Sequence, residues 1–350
     1  MTNPYENLPA DRFWRSGVAA QTPFTVQDIY AKRFSLTKTD RVAVAGSCFA
    51  QHVGRNLRER GFAVVDVEPP LAGMSEATAH SFGLSIYSAR YGNIYTARQL
   101  LQLVEDALAG TVRSEDFFEK DGRFYDGIRP NIEPGGFASL EEAMMLRRAH
   151  LAQVKQMLGA MDVFVFTFGL TEAWRRKKTG TIYPVCPGVI AGEFSDAEFE
   201  FVNFNYEQTK GDFEKVMKVI AAVNPRVKYI TTVSPVPLTA TASGNHVLPA
   251  TTYSKSVLRA VCGMLYEENP QLDYFPSYEL VSAPFTMGQF FEKNMRSVTP
   301  EGVGNAMRVF FEAHDPGGTP KAEPAQGAAP EGGEDDLVCE EILLEAFAKD

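Results

Sequence analysis

Short runs of consecutive apolar residues alternate along the chain with stretches whose apolar positions recur every three or four residues. The runs Arg41–Ala45, Phe62–Val67, Asp162–Phe168, Val227–Val233 and, more weakly, Leu272–Phe275 are four to seven residues long and have the length and β-branched content of buried strands. Helical periodicity covers Phe49–Arg60, where Gly61 stops it. It also covers Ala97–Ala109, Glu141–Met161, a stretch ending near Val223, Thr252–Glu268 and Pro300–Glu312. A strand, a helix and a strand in quick succession at 41–67 predict a right-handed βαβ unit. The whole pattern predicts an α/β fold with a central parallel sheet of about five strands and helices on both faces.

The segments without periodicity set the predicted organisation. Residues 1–40 read as a wrapping arm, punctuated by Pro4, Pro9 and Pro23 and carrying Phe13, Trp14 and Phe24 as anchors. The domain proper spans 41–314. Within it, 111–140 and 175–203 fit no element and read as long loop insertions, a length usually associated with function or partial disorder. Residues 315–335 are rich in Pro, Gly and Glu and too poor in apolar side chains to build a core, so a mobile linker is expected there, followed by a short helix within 336–350.

Composition narrows the function. The 350 residues are 45% hydrophobic and 22% charged, with a net charge of −10. An acidic surface argues against nucleic acid or anionic membranes as partners, since both attract basic ones. No apolar run approaches the roughly 18 residues that span a bilayer. The N-terminus lacks a basic stretch followed by an apolar one, so no signal peptide is read. Cys48, Cys186, Cys262 and Cys339 are widely separated and have no zinc-ligand spacing. A cytoplasmic protein without metal or cofactor is therefore expected, because neither a dinucleotide fingerprint nor a P-loop occurs either.

The chemistry concentrates where the first strand meets the first helix, at Gly46-Ser47-Cys48. A helix N-terminus presents unbonded N–H groups and partial positive charge, which stabilise an oxyanion or a thiolate. Ser47 there is either a nucleophile or a plain N-cap. Cys48 is either a thiolate nucleophile or a small apolar packing residue.

Gly46-Ser47-Cys48-Phe49-Ala50 spells the name motif of the GSCFA family. The segments Asn3–Pro9, Arg90–Leu100, Gly169–Trp174, Thr232–Leu238 and Tyr253–Arg259 also resemble that family, in the same order. The GSCFA family is placed with the SGNH (GDSL-like) hydrolases, so the resemblance implies a flavodoxin-like three-layer sandwich. It also implies an ester hydrolase or acyltransferase acting on a carbohydrate or other small acyl ester. Ser47 matches the SGNH nucleophile, and Gly92 with Asn93 matches the oxyanion-hole block. In the third block, Gly169-Leu170-Thr171 puts Thr171 where the SGNH pattern has Asn, which implies that Thr171 donates to the oxyanion in its place. The fourth block departs from the pattern: the usual Asp-x-x-His positions hold Arg296 and Thr299.

Another base is then needed. His52 follows Ser47 by five residues and points about 140° away on a 3.6-residue helix. His246 lies beyond a predicted strand end on the catalytic side and is the expected base, with Tyr253 or Lys255 as substitutes. Glu172, Arg129 and Arg296 are the expected substrate-binding residues, and Glu172 has the structural alternative of pairing with Arg175 or Arg176. Two other readings stay open: a glycan-binding module that has lost its base, and an acyltransferase built on Cys48.

Overall fold

The computed structural model describes residues 3–318 and 340–348. Strand β1 (Val42–Gly46) is buried throughout and leads into helix α1 (Phe49–Glu59). Then come α2 (Glu76–Ser81), α3 (Ala97–Ala109), the strands β2 (Phe117–Lys120) and β3 (Arg123–Asp126), and α4 (Leu140–Ala160). Strand β4 (Val163–Phe168) is followed by β5 (Glu172–Arg176), β6 (Ile182–Tyr183) and β7 (Phe199–Asn203), and these by α5 (Tyr206–Ala221). Strand β8 (Lys228–Val233), α6 (Val247–Glu268), β9 (Leu272–Tyr274), α7 (Ser277–Ser282) and α8 (Pro300–His314) complete the domain.

Side chains set several of these boundaries. Thr96 and Ser139 accept the N–H groups of Gln99 and Glu142 to start α3 and α4, and Asn205 with Gln208 forms a capping box on α5. Thr299 caps α8 just before Pro300, which suits the first helical position because it lacks an N–H.

The central sheet has four strands, all parallel, in the order β1-β4-β8-β9. The expected second strand, Phe62–Val67, shrinks to a single bridge between Val64 and Val42. Val67 donates to the Ser88 carbonyl instead of the sheet, Pro69 and Pro70 follow, and residues 88–91 cover the rest of the β1 edge through Ser88 Oγ and the Tyr91 hydroxyl. Counting that bridge, the order is 2-1-3-4-5, which reverses between β1 and β4. Helices α4, α3, α5 and α6 touch in a row and α1 touches α8, a pairing consistent with a three-layer α/β sandwich. No helix among the described residues is long and apolar enough to cross a membrane.

Both supposed loop insertions contain strands. Residues 111–140 hold the antiparallel pair β2-β3, and 175–203 hold β6 and β7, which flank β5 in a small antiparallel sheet. These strands are two to five residues long, too short for periodicity to show. In the arm, Tyr30 packs against Phe275 and Phe310, and Phe24 meets Phe290 edge-on, whereas Phe13 and Trp14 are exposed rather than anchored. Most of the expected linker, residues 319–335, and the start of the expected helix, residues 336–339, lie outside the described residues. Beyond them, Glu340–Phe347 forms 3-10 helix.

A buried ionic cluster ties the β2-β3 pair to α4. The Asp126 carboxylate receives Arg129 Nε at 2.9 Å and Arg147 Nη1 at 3.0 Å, with all three side chains at most 4% exposed. Next to them His150 Nδ1 meets Glu68 Oε2 at 2.7 Å. Burial and the nearby Arg129 charge hold the His150 pKa down at about 4 despite Glu68. Burial would raise Glu68, but His150, Arg129 and the Arg90 N–H outweigh it and bring that carboxyl to about 2. His150 is therefore neutral and donates from Nδ1.

Three outcomes follow for stability. Asp126→Asn leaves two buried guanidinium groups short of a counter-charge and should cost about 3–5 kcal/mol in chemical denaturation. His150 takes its proton more readily when unfolded, so its contribution is complete above pH ~6.5 and is lost as pH falls towards ~4, with Glu68 adding a further loss below ~4.5. Melting temperatures across pH 4–8 should fall on the acid side, and His150→Gln should flatten the pH 4–6.5 part. Gly46 has φ +139°, and a Cβ there would stand 2.4 Å from the Thr167 carbonyl oxygen. Gly46→Ala should therefore destabilise by more than ~3 kcal/mol, read by the same denaturation.

Candidate active site

The strand order reverses between β1 and β4, and the carboxyl end of the strands at such a reversal is the usual place for a ligand in these sheets. Ser47 and Gly169 occupy it. The Ser47 N–H donates to the Thr167 carbonyl at 3.1 Å, which extends the β1-β4 ladder by one bond past Gly46. A Cβ added to Gly169 would stand 2.8 Å from Ser47 Cβ, so only glycine lets the two strand ends approach this closely. The turn after β8 joins them through the Ser234 N–H, which donates to the Phe168 carbonyl at 2.8 Å.

Ser47 does not cap α1. The cap position belongs to Cys48, whose thiol makes no capping bond, and Ser47 Oγ has no hydrogen-bond partner although the residue is only 2% exposed. The Ser47 carbonyl does the local bonding, accepting from the Ala50 N–H at 2.8 Å and from the Tyr87 hydroxyl at 3.2 Å. Cys48 itself is buried at the start of the helix.

The loop expected to supply the oxyanion hole is fastened to the same strand end. Gly92 takes φ +67°, and the Ile94 N–H donates to the Gly46 carbonyl at 2.8 Å. Gln99 holds the loop from inside, its Nε2 donating to the Asn93 carbonyl at 2.9 Å and its Oε1 accepting from the Tyr95 N–H at 3.0 Å. Tyr87 also donates to Asn93 Oδ1, and Gln51 Nε2 reaches the Tyr87 hydroxyl at 3.2 Å. Asn93 and Ser47 thus share one buried network. Gln51, Tyr87 and Gln99 were not singled out from the sequence. Only Gln51 had a readable signal, standing one helical turn after Ser47.

The third block is structured differently from its expected role. Thr171 spends its hydroxyl on Asn203 Oδ1 at 2.6 Å and its N–H on Ser254 Oγ at 3.0 Å, so neither donor is left for an oxyanion. Glu172 accepts from Thr241 Oγ1 at 2.7 Å, and burial raises its pKa. Its supposed structural partners are engaged elsewhere, Arg175 with Glu200 and Arg176 with Glu198.

His246 is exposed and serves as the N-cap of α6. Its Nδ1 accepts the Leu248 N–H at 3.1 Å. A neutral imidazole bonded in this way carries its proton on Nε2, which leaves no lone pair for a serine proton until the cap is released. The adjacent Val247 packs on the Tyr95–Leu170–Leu238–Ala250 cluster, on the Gly169 side of the sheet. Tyr253 is 48% exposed, whereas Lys255 is buried with Nζ on the Gly169 carbonyl at 2.6 Å. Arg129 is no substrate clamp in this arrangement. It is 3% exposed and bound to Asp126 and to the Arg90 carbonyl, because the β2-β3 pair folds the expected loop over it. Arg296 is largely buried in the turn before α8, its N–H held by Asn294 Oδ1, and Thr299 acts as the α8 cap.

A cleft of about 460 Å³ lies along α1, lined in part by Gln51, Arg55, Arg58, Pro70, Met74 and His80. Gln51 belongs both to this cleft and to the Tyr87–Asn93 network.

None of the curated proteins compared matches this chain. A family model does match it, the GSCFA family, over residues 41–310. The match begins at the strand leading into Ser47 and ends within α8, so it takes in the whole sheet and every element of the candidate site. The chain belongs to the GSCFA family.

Proposed function

We propose that the protein hydrolyses or transfers an ester-linked acyl group by SGNH-like chemistry, with Ser47 as nucleophile. One observation carries the proposal: the Ser47 hydroxyl caps nothing and bonds to nothing, at a helix N-terminus and a strand-order reversal. A buried hydroxyl without a partner costs stability. Its retention fits a group kept for reaction. In the step, Ser47 Oγ forms a bond to the acyl carbon while its proton passes to a base. The ester C–O bond then breaks and the leaving oxygen takes the proton. The proposed oxyanion donors are backbone N–H groups at the start of α1 and in the Gly92–Asn93 loop. His246 is the proposed base, acting once it exchanges its cap bond, and the cleft along α1 has the size of a small-molecule site for the rest of the substrate.

The opposing reading, a glycan-binding module without turnover, draws on the 2% exposure of Ser47 and on the spent donors of Thr171. A panel of p-nitrophenyl esters of rising chain length, together with acetylated sugars, separates the two. Turnover by the wild type that falls about 10³-fold or more in Ser47→Ala is expected. Turnover that survives in Ser47→Ala and vanishes in Cys48→Ala would transfer the role to the thiol, and no turnover on any ester would favour the binding module. His246→Ala should lower turnover about 10²-fold, the scale of general-base effects.

A further inference from the structure

The segment Tyr253–Arg259 was singled out in the sequence, yet none of its residues has a part in the chemistry above. Two neighbours within it, Ser254 and Lys255, are 0% and 2% exposed and both reach the turn that follows β4. Lys255 Nζ donates to the Gly169 carbonyl at 2.6 Å, and Ser254 Oγ accepts the Thr171 N–H at 3.0 Å. Between those two points Leu170 shares a buried apolar cluster with Ala250 of the same helix. One face of α6 therefore grips both ends of the Gly169–Thr171 turn. The turn cannot shift without disturbing Ser47, because Gly169 lies directly against the Ser47 side chain.

Burying an ammonium group is expensive, and an apolar side chain of similar length fills such a space at lower cost. A charge kept in this place calls for a use. We infer that Lys255 is a positioning residue for the Ser47 reaction. It fixes the Gly169 carbonyl, and through Gly169 the orientation of Ser47. In this way it holds Ser47 in the geometry the attack requires. This inference rests on the reading of Ser47 as an acyl-transfer nucleophile.

The test uses the full-length protein and a fluorophosphonate probe, with labelling followed by intact mass and the site located by peptide mapping. In the labelling step Ser47 Oγ bonds to phosphorus, the P–F bond breaks, fluoride leaves and the serine proton passes to the base. Wild type should be labelled at Ser47, and Lys255→Met about 10²-fold more slowly. In Lys255→Ala, added methylammonium should recover part of the rate, which refilling a purely structural gap with a neutral isostere such as ethane would not do. A Lys255→Met protein labelled within about threefold of the wild-type rate overturns the inference. If Lys255→Met does not fold, Ser254→Ala replaces it: a rate reduced about tenfold supports the grip of α6 on the turn, and an unchanged rate overturns it. A wild type that takes no label at Ser47 ends the nucleophile reading and this inference together. That result is distinguishable from a labelled wild type with an indifferent variant.

Discussion

The close approach of β1 and β4 at their carboxyl ends is the constraint on which the rest of the site depends. It requires two residues without a Cβ. Gly46 has the Thr167 backbone where its side chain would be, and Gly169 has Ser47 there. With both in place, the Ser47 N–H completes the ladder to Thr167 and the chain turns at once into α1. The Ser47 hydroxyl is then held where the strand order reverses, with its carbonyl, rather than its side chain, bonding to the first helical turn. A bulkier residue at either glycine would part the strands and remove the geometry that makes the serine special.

Around that contact the protein builds inward-facing polar links instead of a simple apolar seal. Tyr87, Gln51, Asn93 and Gln99 fasten the second loop to β1. Ser254 and Lys255 fasten the third turn to α6. Buried polar networks of this kind are costly when incomplete and rigid when complete. The Ser47 hydroxyl has no hydrogen-bond partner, and neither has Thr167 Oγ1 in the adjoining strand, but only Ser47 stands at the strand-to-helix turn. The ionic cluster of Asp126, Arg129 and Arg147 does a different job, locking the β2-β3 pair onto α4.

Much of this was legible in the sequence. Long elements with one dominant period, such as α3 and the buried strands β4 and β8, were readable because every turn or residue repeats the same signal. The second strand was not, because its apolar run says nothing of Ser88 and Tyr91 competing for the β1 edge. Arg129 reads as a loop arginine until Asp126 and Arg147, the latter 18 residues further on, are brought to it by folding. For the site, Gly46 and Ser47 were legible because the strand-to-helix turn leaves a local mark, and Gly169 was legible only through the family resemblance. The roles of Thr171 and His246 were not, since they depend on which distant acceptor or donor each side chain meets: Asn203 and Ser254 for one, the first turn of its own helix for the other.

The central claim is that the Ser47 hydroxyl is the reacting group at the β1-β4 strand ends. A crystal structure of the protein inactivated with a phosphonate ester tests it most directly. The account predicts continuous density from Ser47 Oγ to phosphorus, with one phosphonyl oxygen against the first-turn N–H groups of α1 and the Gly92–Asn93 loop. An adduct on Cys48 or on any other side chain, with Ser47 Oγ left unmodified, would contradict it.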